Sequence, residues 1–193
     1  MEKYKITTKL DLEDFKQMET IEYNYFLKEN VTPAKEAWKW YQKNPDTCIA
    51  IKTQNGEVIG SCTILPLGNQ VLEGIMQEQI DEAQITQAQI EEYGEGKQYN
   101  WYLSAISIDP LYRNQISILK MFIKAGMELL QELQRKEIFI HKILAEACTI
   151  HGEKICTKLL HMKLIKETKE HTKFFIGNVD EMQKVLEKLK RCI

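Results

Sequence analysis

The sequence predicts an α/β protein, and three observations carry that prediction. Two β-rich runs, 47–53 and 57–65, flank Gln54-Asn55-Gly56, the signature of a hairpin. Residues 99–109 and 138–148 read as buried strands. Between them, residues 114–134 repeat apolar side chains at helical spacing, which gives the order strand, long helix, strand.

The other elements follow in chain order. Residues 4–10 alternate as a first strand. Asp11 then opens an amphipathic helix with Leu12, Phe15, Met18, Ile21 and Tyr25 on one face. Thr32-Pro33 starts a second helix, threonine as cap and proline in the first turn, and Asn44-Pro45 ends it. Residues 68–98 are rich in Gln and Glu. Ile75, Ile80, Ile85 and Ile90 recur every five residues, which suits neither helix nor strand. The segment reads as an insertion of short helices and a mobile connection ending at Gly94-Glu95-Gly96, either functional or decorative. In the long helix the core stripe is Leu119, Phe122, Gly126, Leu129 and Leu133, with Gly126 expected to allow close packing on a sheet. Gly152 to Met162 form a helix with Ile155, Leu159 and Met162 on one face. Strands follow near 163–169 and 172–177. Asn178 caps a last helix, Glu181 completes the capping box, and Val179, Met182, Val185, Leu186 and Leu189 are its apolar face.

Length and composition bound the function classes. A chain of 193 residues, 44% hydrophobic and 28% charged, suits one domain over 1–193. A net charge of −2 gives no basic field for nucleic acid or an anionic membrane, and the run Glu187 to Arg191 reads as a solvated helix face. Cys48, Cys62, Cys148, Cys156 and Cys192 form no Cys-x-x-Cys pair, so reduced thiols in a cytoplasmic protein are expected. Met1 to Lys5 precede no apolar signal core, and no apolar run reaches the length of a membrane span. His141, His151, His161 and His171 lack metal-ligand spacing, so no metal is expected.

Two stretches carry a family resemblance: "YLSAISIDPLYRNQISILKMFIKAGMELL" at 102–130 and "ILAEACTIHGEKICTKLLHMKLI" at 143–165. Together with the hairpin they resemble the GNAT superfamily of N-acyltransferases over residues 46–177. The resemblance implies a mixed, mostly antiparallel sheet with helices on both faces. It implies acetyl-CoA as cosubstrate and a small-molecule or peptide amine as acceptor, and it is compatible with a homodimer. It places the pantetheine arm against the main chain of Ile106, Ser107 and Ile108. The diphosphate falls on the amides of Arg113, Asn114, Gln115, Ile116, Ser117 and Ile118, where a helix N-terminus offers free donors. Arg113 adds a charge-assisted contact.

The sequence departs from the family pattern twice. Ile116 and Ile118 occupy the two glycine positions of the cofactor loop, which predicts crowding where a phosphate approaches the backbone; a one-residue shift puts Ser117 at a small-residue position instead. Thr157 stands where many members carry an acidic tyrosine, so the usual proton donor is missing. Glu146 is the fallback base, sharing a face with Leu144 and Cys148, with a solvated edge position as the alternative. Cys148 reads as a small buried residue, and His151 as a surface residue near the acyl site. Trp38, Trp40 and Trp101 read as core aromatics or as pocket walls, and Asn100, Trp101 and Tyr102 as the border of an acceptor cleft. The expectation is acetyl transfer to an amine. The alternative is a non-catalytic module of the same fold that binds acyl-CoA or a protein partner.

Overall fold

A computed structural model describes residues 3–190, with side chains through Lys184. Met1, Glu2, Val185, Leu186, Leu189, the basic run Glu187 to Arg191 and Cys192 lie outside the described residues or side chains. The order is β1 (Tyr4–Thr7), α1 (Leu12–Glu22), α2 (Ala34–Lys43), β2 (Cys48–Thr53), β3 (Val58–Pro66) and α3 (Asn69–Met76). Then come β4 (Gln98–Ile108), α4 (Ile116–Arg135), β5 (Phe139–Ala147), α5 (Ile150–Lys154), β6 (Lys163–Glu167), β7 (Lys173–Asn178) and α6 (Val179–Lys190). The strands form one seven-stranded sheet ordered β1-β2-β3-β4-β5-β7-β6. Its neighbours are antiparallel except β4 and β5. This is the mixed, mostly antiparallel sheet expected.

Helices cover both faces. On one face α4 lays Ile118, Phe122, Ala125, Leu129 and Leu133 over Ile51, Cys62, Ile64 and Trp101, with Val179 and Met182 of α6 in the same cluster. Burying each large side chain there contributes about 1.5–3 kcal/mol. On the other face, Phe15, Met18 and Ile21 of α1 and Ala34 of α2 pack on Cys48, Ala50 and Val58. Asp14 fixes α1 twice: it closes a capping box with Asp11, and it meets Lys52 of β2 at 2.6 Å with only 5% of its side chain exposed.

Five local expectations are corrected. Thr32 does not cap α2. Its hydroxyl has no partner, Pro33 is the N-cap residue, and Glu19 Oε2 accepts from Ala34 N–H at 3.1 Å, so α1 supplies the cap from outside. The hairpin turn has positive φ only at Gly56 (+89°), with Gly56 N–H on Thr53 O and Thr53 N–H on Glu57 O. That is a three-residue loop, Gln54 to Gly56, in which the glycine alone, and not Asn55, takes the positive φ expected of Asn-Gly. The segment 68–98 has a core of its own. Ile75, Ile85 and Ile90 are buried with Trp40, Leu65, Leu72 and Tyr102, and Ile80 packs against them. Its short turns restart the phase every few residues, so each isoleucine points inward without a helical or strand period. Residues 155–159 wind as a π-turn after α5, and Cys156 and Met162 are the buried residues there.

Gly126 is the last correction. A methyl group at its α-carbon would meet nothing within 4 Å, so no close approach requires glycine. Gly126→Ala is expected to stabilise the fold by about 0.5–1 kcal/mol. A higher urea midpoint at unchanged slope is the outcome that checks it.

Candidate functional site

The site begins where β4 and β5 part. Their parallel ladder ends at Leu103↔Ala145. β4 continues beside β3 to Ile108, while β5 continues beside β7 to Ala147. Ser104 is the extra residue of a β4 bulge, since Ile64 faces Leu103 and Thr63 faces Ala105. The bulge bends β4 away just where its bond to β5 is lost. The first residues past the last pair are therefore Ser104 on one wall of the wedge and Glu146 on the other.

Main-chain direction alternates along β4. Asp109 N–H donates to Ile59 O on β3 at 2.9 Å, so Ala105 and Ser107 also turn toward β3, and Ile106 and Ile108 turn toward the wedge. Ser107 is thereby spent on the sheet, its side chain buried opposite Ser61. The Ile108 carbonyl accepts the Tyr25 hydroxyl, which leaves the Ile106 main chain as the open position.

The turn after β4 is held by Asp109, whose carbonyl accepts from Tyr112 and Arg113 N–H and whose Oδ1 accepts from Leu111 N–H. Tyr4 of β1 donates to Gln115 Oε1 at 2.9 Å. Of the six loop amides, those of Arg113, Gln115 and Ile118 donate inside the protein. Among the described residues none accepts from the amides of Asn114, Ile116 or Ser117. These three donors, at the start of the 20-residue α4, suit an anion. Ile118 is fully buried and points into the core, so it cannot crowd the loop, whereas Ile116 is 71% exposed. Arg113 is exposed and lies near the Tyr25 hydroxyl.

On the face opposite α4, carboxylates gather beside the wedge. Ser104 Oγ donates to Glu82 Oε1 at 2.6 Å, and buried Tyr102 lies near the same carboxylate. Desolvation raises the Glu82 pKa, and Glu146 raises it further. Glu146 is half-buried, takes a hydrogen bond from Thr172 Oγ1, and is likewise raised mainly by desolvation. Glu22, nearby on α1, is pushed up to about 8 by burial, then by Glu82 and Glu19. Paired carboxylates with raised pKa values are suited to taking a proton near neutrality. Sequence reasoning missed Glu82 and Glu22. The one local clue to Glu82 is the Asp81-x-x-Gln84 capping box that sets its turn.

The remaining candidates fall elsewhere. Thr157 is exposed and donates to Glu153 O of its own helix at 2.7 Å. Cys148 is exposed rather than buried, and its thiol is pushed up to about 12 by desolvation, then by Glu146, Glu82 and Glu170. His161 and His171 occupy left-handed turn positions (φ 50° and 63°). Trp40 and Trp101 are buried with their indole N–H groups on Ile85 O and the Tyr93 hydroxyl, and Trp38 stacks on Tyr41. Of the three, Trp40 also walls the cleft beside Glu82. Asn100 donates to Asn69 Oδ1 at 2.7 Å. No helix among the described residues is long and apolar enough to cross a membrane.

No protein-family model matches the sequence, and no curated protein is detectably similar to it. Solved structures are similar in fold. The GNAT-like decarboxylase GphF in complex with isobutyryl-CoA superposes with a TM-score of 0.61 at 11% identity, over 92% of this chain and 100% of that one. The loading GNATL domain of CurA from Lyngbya majuscula gives 0.59 at 11% identity, over 92% and 98%. Naa20 from Chaetomium thermophilum, in complex with a bisubstrate analogue, gives 0.57 at 11% identity, over 90% and 85%. The chain has the GNAT fold.

Two outcomes follow from the protonation states. A raised thiol holds less thiolate, so at pH 8 the Cys148 peptide should be alkylated by iodoacetamide more slowly than free cysteine, as mass spectrometry would show. Glu22 has a folded pKa raised from the ordinary 4.5 to about 8, so its protonated form favours the folded state. That contribution is complete below about pH 4.5 and is lost as pH rises to about 8. Glu22→Gln should flatten this fall in denaturation curves measured across the window; an unchanged slope would contradict the assignment.

Proposed function

We propose that the protein transfers an acyl group from an acyl-CoA to an amine. The observation that carries this reading is the open wedge between β4 and β5 beside three unspent amides, Asn114, Ile116 and Ser117. Those amides and Arg113 would hold the diphosphate. The Ile106 main chain would pair with the pantetheine amides. The thioester supplies the acyl carbon, to which the amine nitrogen bonds as the carbon–sulfur bond breaks.

The chain's own groups then position and deprotonate. Glu82, fixed by Ser104, takes the proton that the amine loses. Its raised pKa makes it a stronger base than an exposed carboxylate. Glu146, held by Thr172 on the opposite wall, raises the pKa of Glu82 further. Neither Thr157 nor Cys148 points to a side-chain proton donor for the leaving thiolate, so solvent at the open mouth would supply that proton. Acyl transfer here therefore rests chiefly on holding the two reactants in register.

At saturating acetyl-CoA, about 100 times its Kd, binding should add about 2.7 kcal/mol, which raises the melting temperature by about 5–10 °C for a chain of this size. No shift would sink the reading. With an accepted amine, kcat/KM should rise with pH as Glu82 ionises, and Glu82→Gln should abolish that limb while acetyl-CoA still raises the melting temperature.

A further inference from the structure

Beside the wedge, on the face away from α4, lies a narrow, open-mouthed pocket of about 20 Å³, room for one water-sized group such as an ammonium head. Its apolar walls include Phe15 and Met18 of α1 and Ala37 and Trp40 of α2. Its polar lining is Glu19, Glu22, Thr32, Thr63, Glu82 and Ser104, and none of the lining residues is cationic. Glu19 is already engaged, with one oxygen on Ala34 N–H and the other accepting the Tyr23 hydroxyl. Glu22 has no hydrogen-bond partner for its carboxylate among the described residues and is coupled through space to Glu82.

A second, independent observation points to a ligand. Thr32 is 8% exposed, lines this pocket, and its hydroxyl has no hydrogen-bond partner among the described residues. A buried hydroxyl left unpaired costs about 1–3 kcal/mol. The sequence gives Thr32 the look of a helix cap, yet Glu19 performs that task and leaves the hydroxyl unused. Thr32, Glu22 and Glu82 thus offer three acceptors in a slim pocket with an aromatic wall. A protonated primary amine has three N–H donors and one thin stem. A guanidinium or a sugar ring exceeds a space of about 20 Å³, and a carboxylate or phosphate would find no cationic residue in the lining.

We infer that this pocket receives the primary ammonium end of an unbranched aliphatic acceptor, seated between Glu22, Glu82 and Thr32. The inference rests on the proposed acyl transfer and specifies its acceptor class. Ser104 borders both the pocket and the wedge, so an amine seated here lies beside the place where the two strands part. Trp40, buried and tethered to Ile85 O at 3.1 Å, forms a fixed wall along which an alkyl stem would lie.

The test is calorimetric titration with n-butylammonium, with n-butanol and tetramethylammonium as controls of the same size class. The expected result is saturable binding of n-butylammonium alone. Tetramethylammonium keeps the charge but has no N–H donor, and n-butanol keeps the stem without the charge. Glu22→Gln should weaken n-butylammonium at least tenfold, and the isosteric Thr32→Val about threefold or more. Equal binding of n-butanol, or affinities unchanged in both variants, would overturn the inference. Because the controls act on the wild-type chain, the result does not depend on either variant folding. Acetyl-CoA titrated into the same samples separates the two readings. Binding of acetyl-CoA without n-butylammonium overturns this inference and leaves acyl transfer standing; binding of n-butylammonium without acetyl-CoA does the reverse.

Discussion

The whole arrangement depends on one lost pairing. β4 and β5 are hydrogen-bonded as parallel neighbours only as far as Leu103 and Ala145, and beyond that each strand keeps its other neighbour and abandons this one. A backbone polar group left unpaired in a dry interior is costly, so such a rupture persists only where it opens to solvent or to a ligand. The bulge at Ser104 gives the rupture a fixed position, and the Asp109 turn fixes the loop that follows it. The result is a slot bounded by main chain, whose donors do not depend on side-chain identity. This is why Ile116 and Ile118 matter less than their place in the loop suggests: one faces outward and the other belongs to the core.

The two faces of the sheet divide the labour. The α4 face is an apolar core that holds the loop and the N-terminus of α4 in place. The opposite face brings together ionisable groups from three distant parts of the chain: Glu22 from α1, Glu82 from the segment between β3 and β4, and Glu146 from β5. Their mutual repulsion and partial burial act in the same direction, toward the protonated form. A stable fold tolerates this because the surrounding contacts are strong: Asp14 with Lys52 beneath α1, and the isoleucines that pin the connecting segment.

Features of short range were legible in the sequence. The helix opened by Asp11, the hairpin, the long amphipathic helix and the order of strands all follow from spacing within one or two turns of chain. What escaped was set by partners far away. Thr32 looks like a cap because nothing local reveals that Glu19 reaches across to Ala34. Gly126 looks like a packing contact because the open space beside its α-carbon cannot be read from helical spacing. The isoleucines at 75, 80, 85 and 90 have no period because three short turns reset their direction, and so Glu82 was invisible as a site residue. The loop amides were read as six equal donors, and only coordinates distinguish the three that Asp109, Tyr112 and Gln115 consume. The wedge itself has no signature in β4, whose apolar pattern runs on past the point of rupture.

The connection from β3 to β4 has a consequence of another kind. Glu82 is carried by a strap that is fastened at Ile85 and Ile90 and crosses above the sheet, and it is not part of any strand. Chemistry at one wall is thus separable from the architecture of the other. A different strap, fastened by the same two anchors, would present a new functional group over an unaltered slot, so this region is a natural place to redirect selectivity by grafting rather than by rebuilding the scaffold.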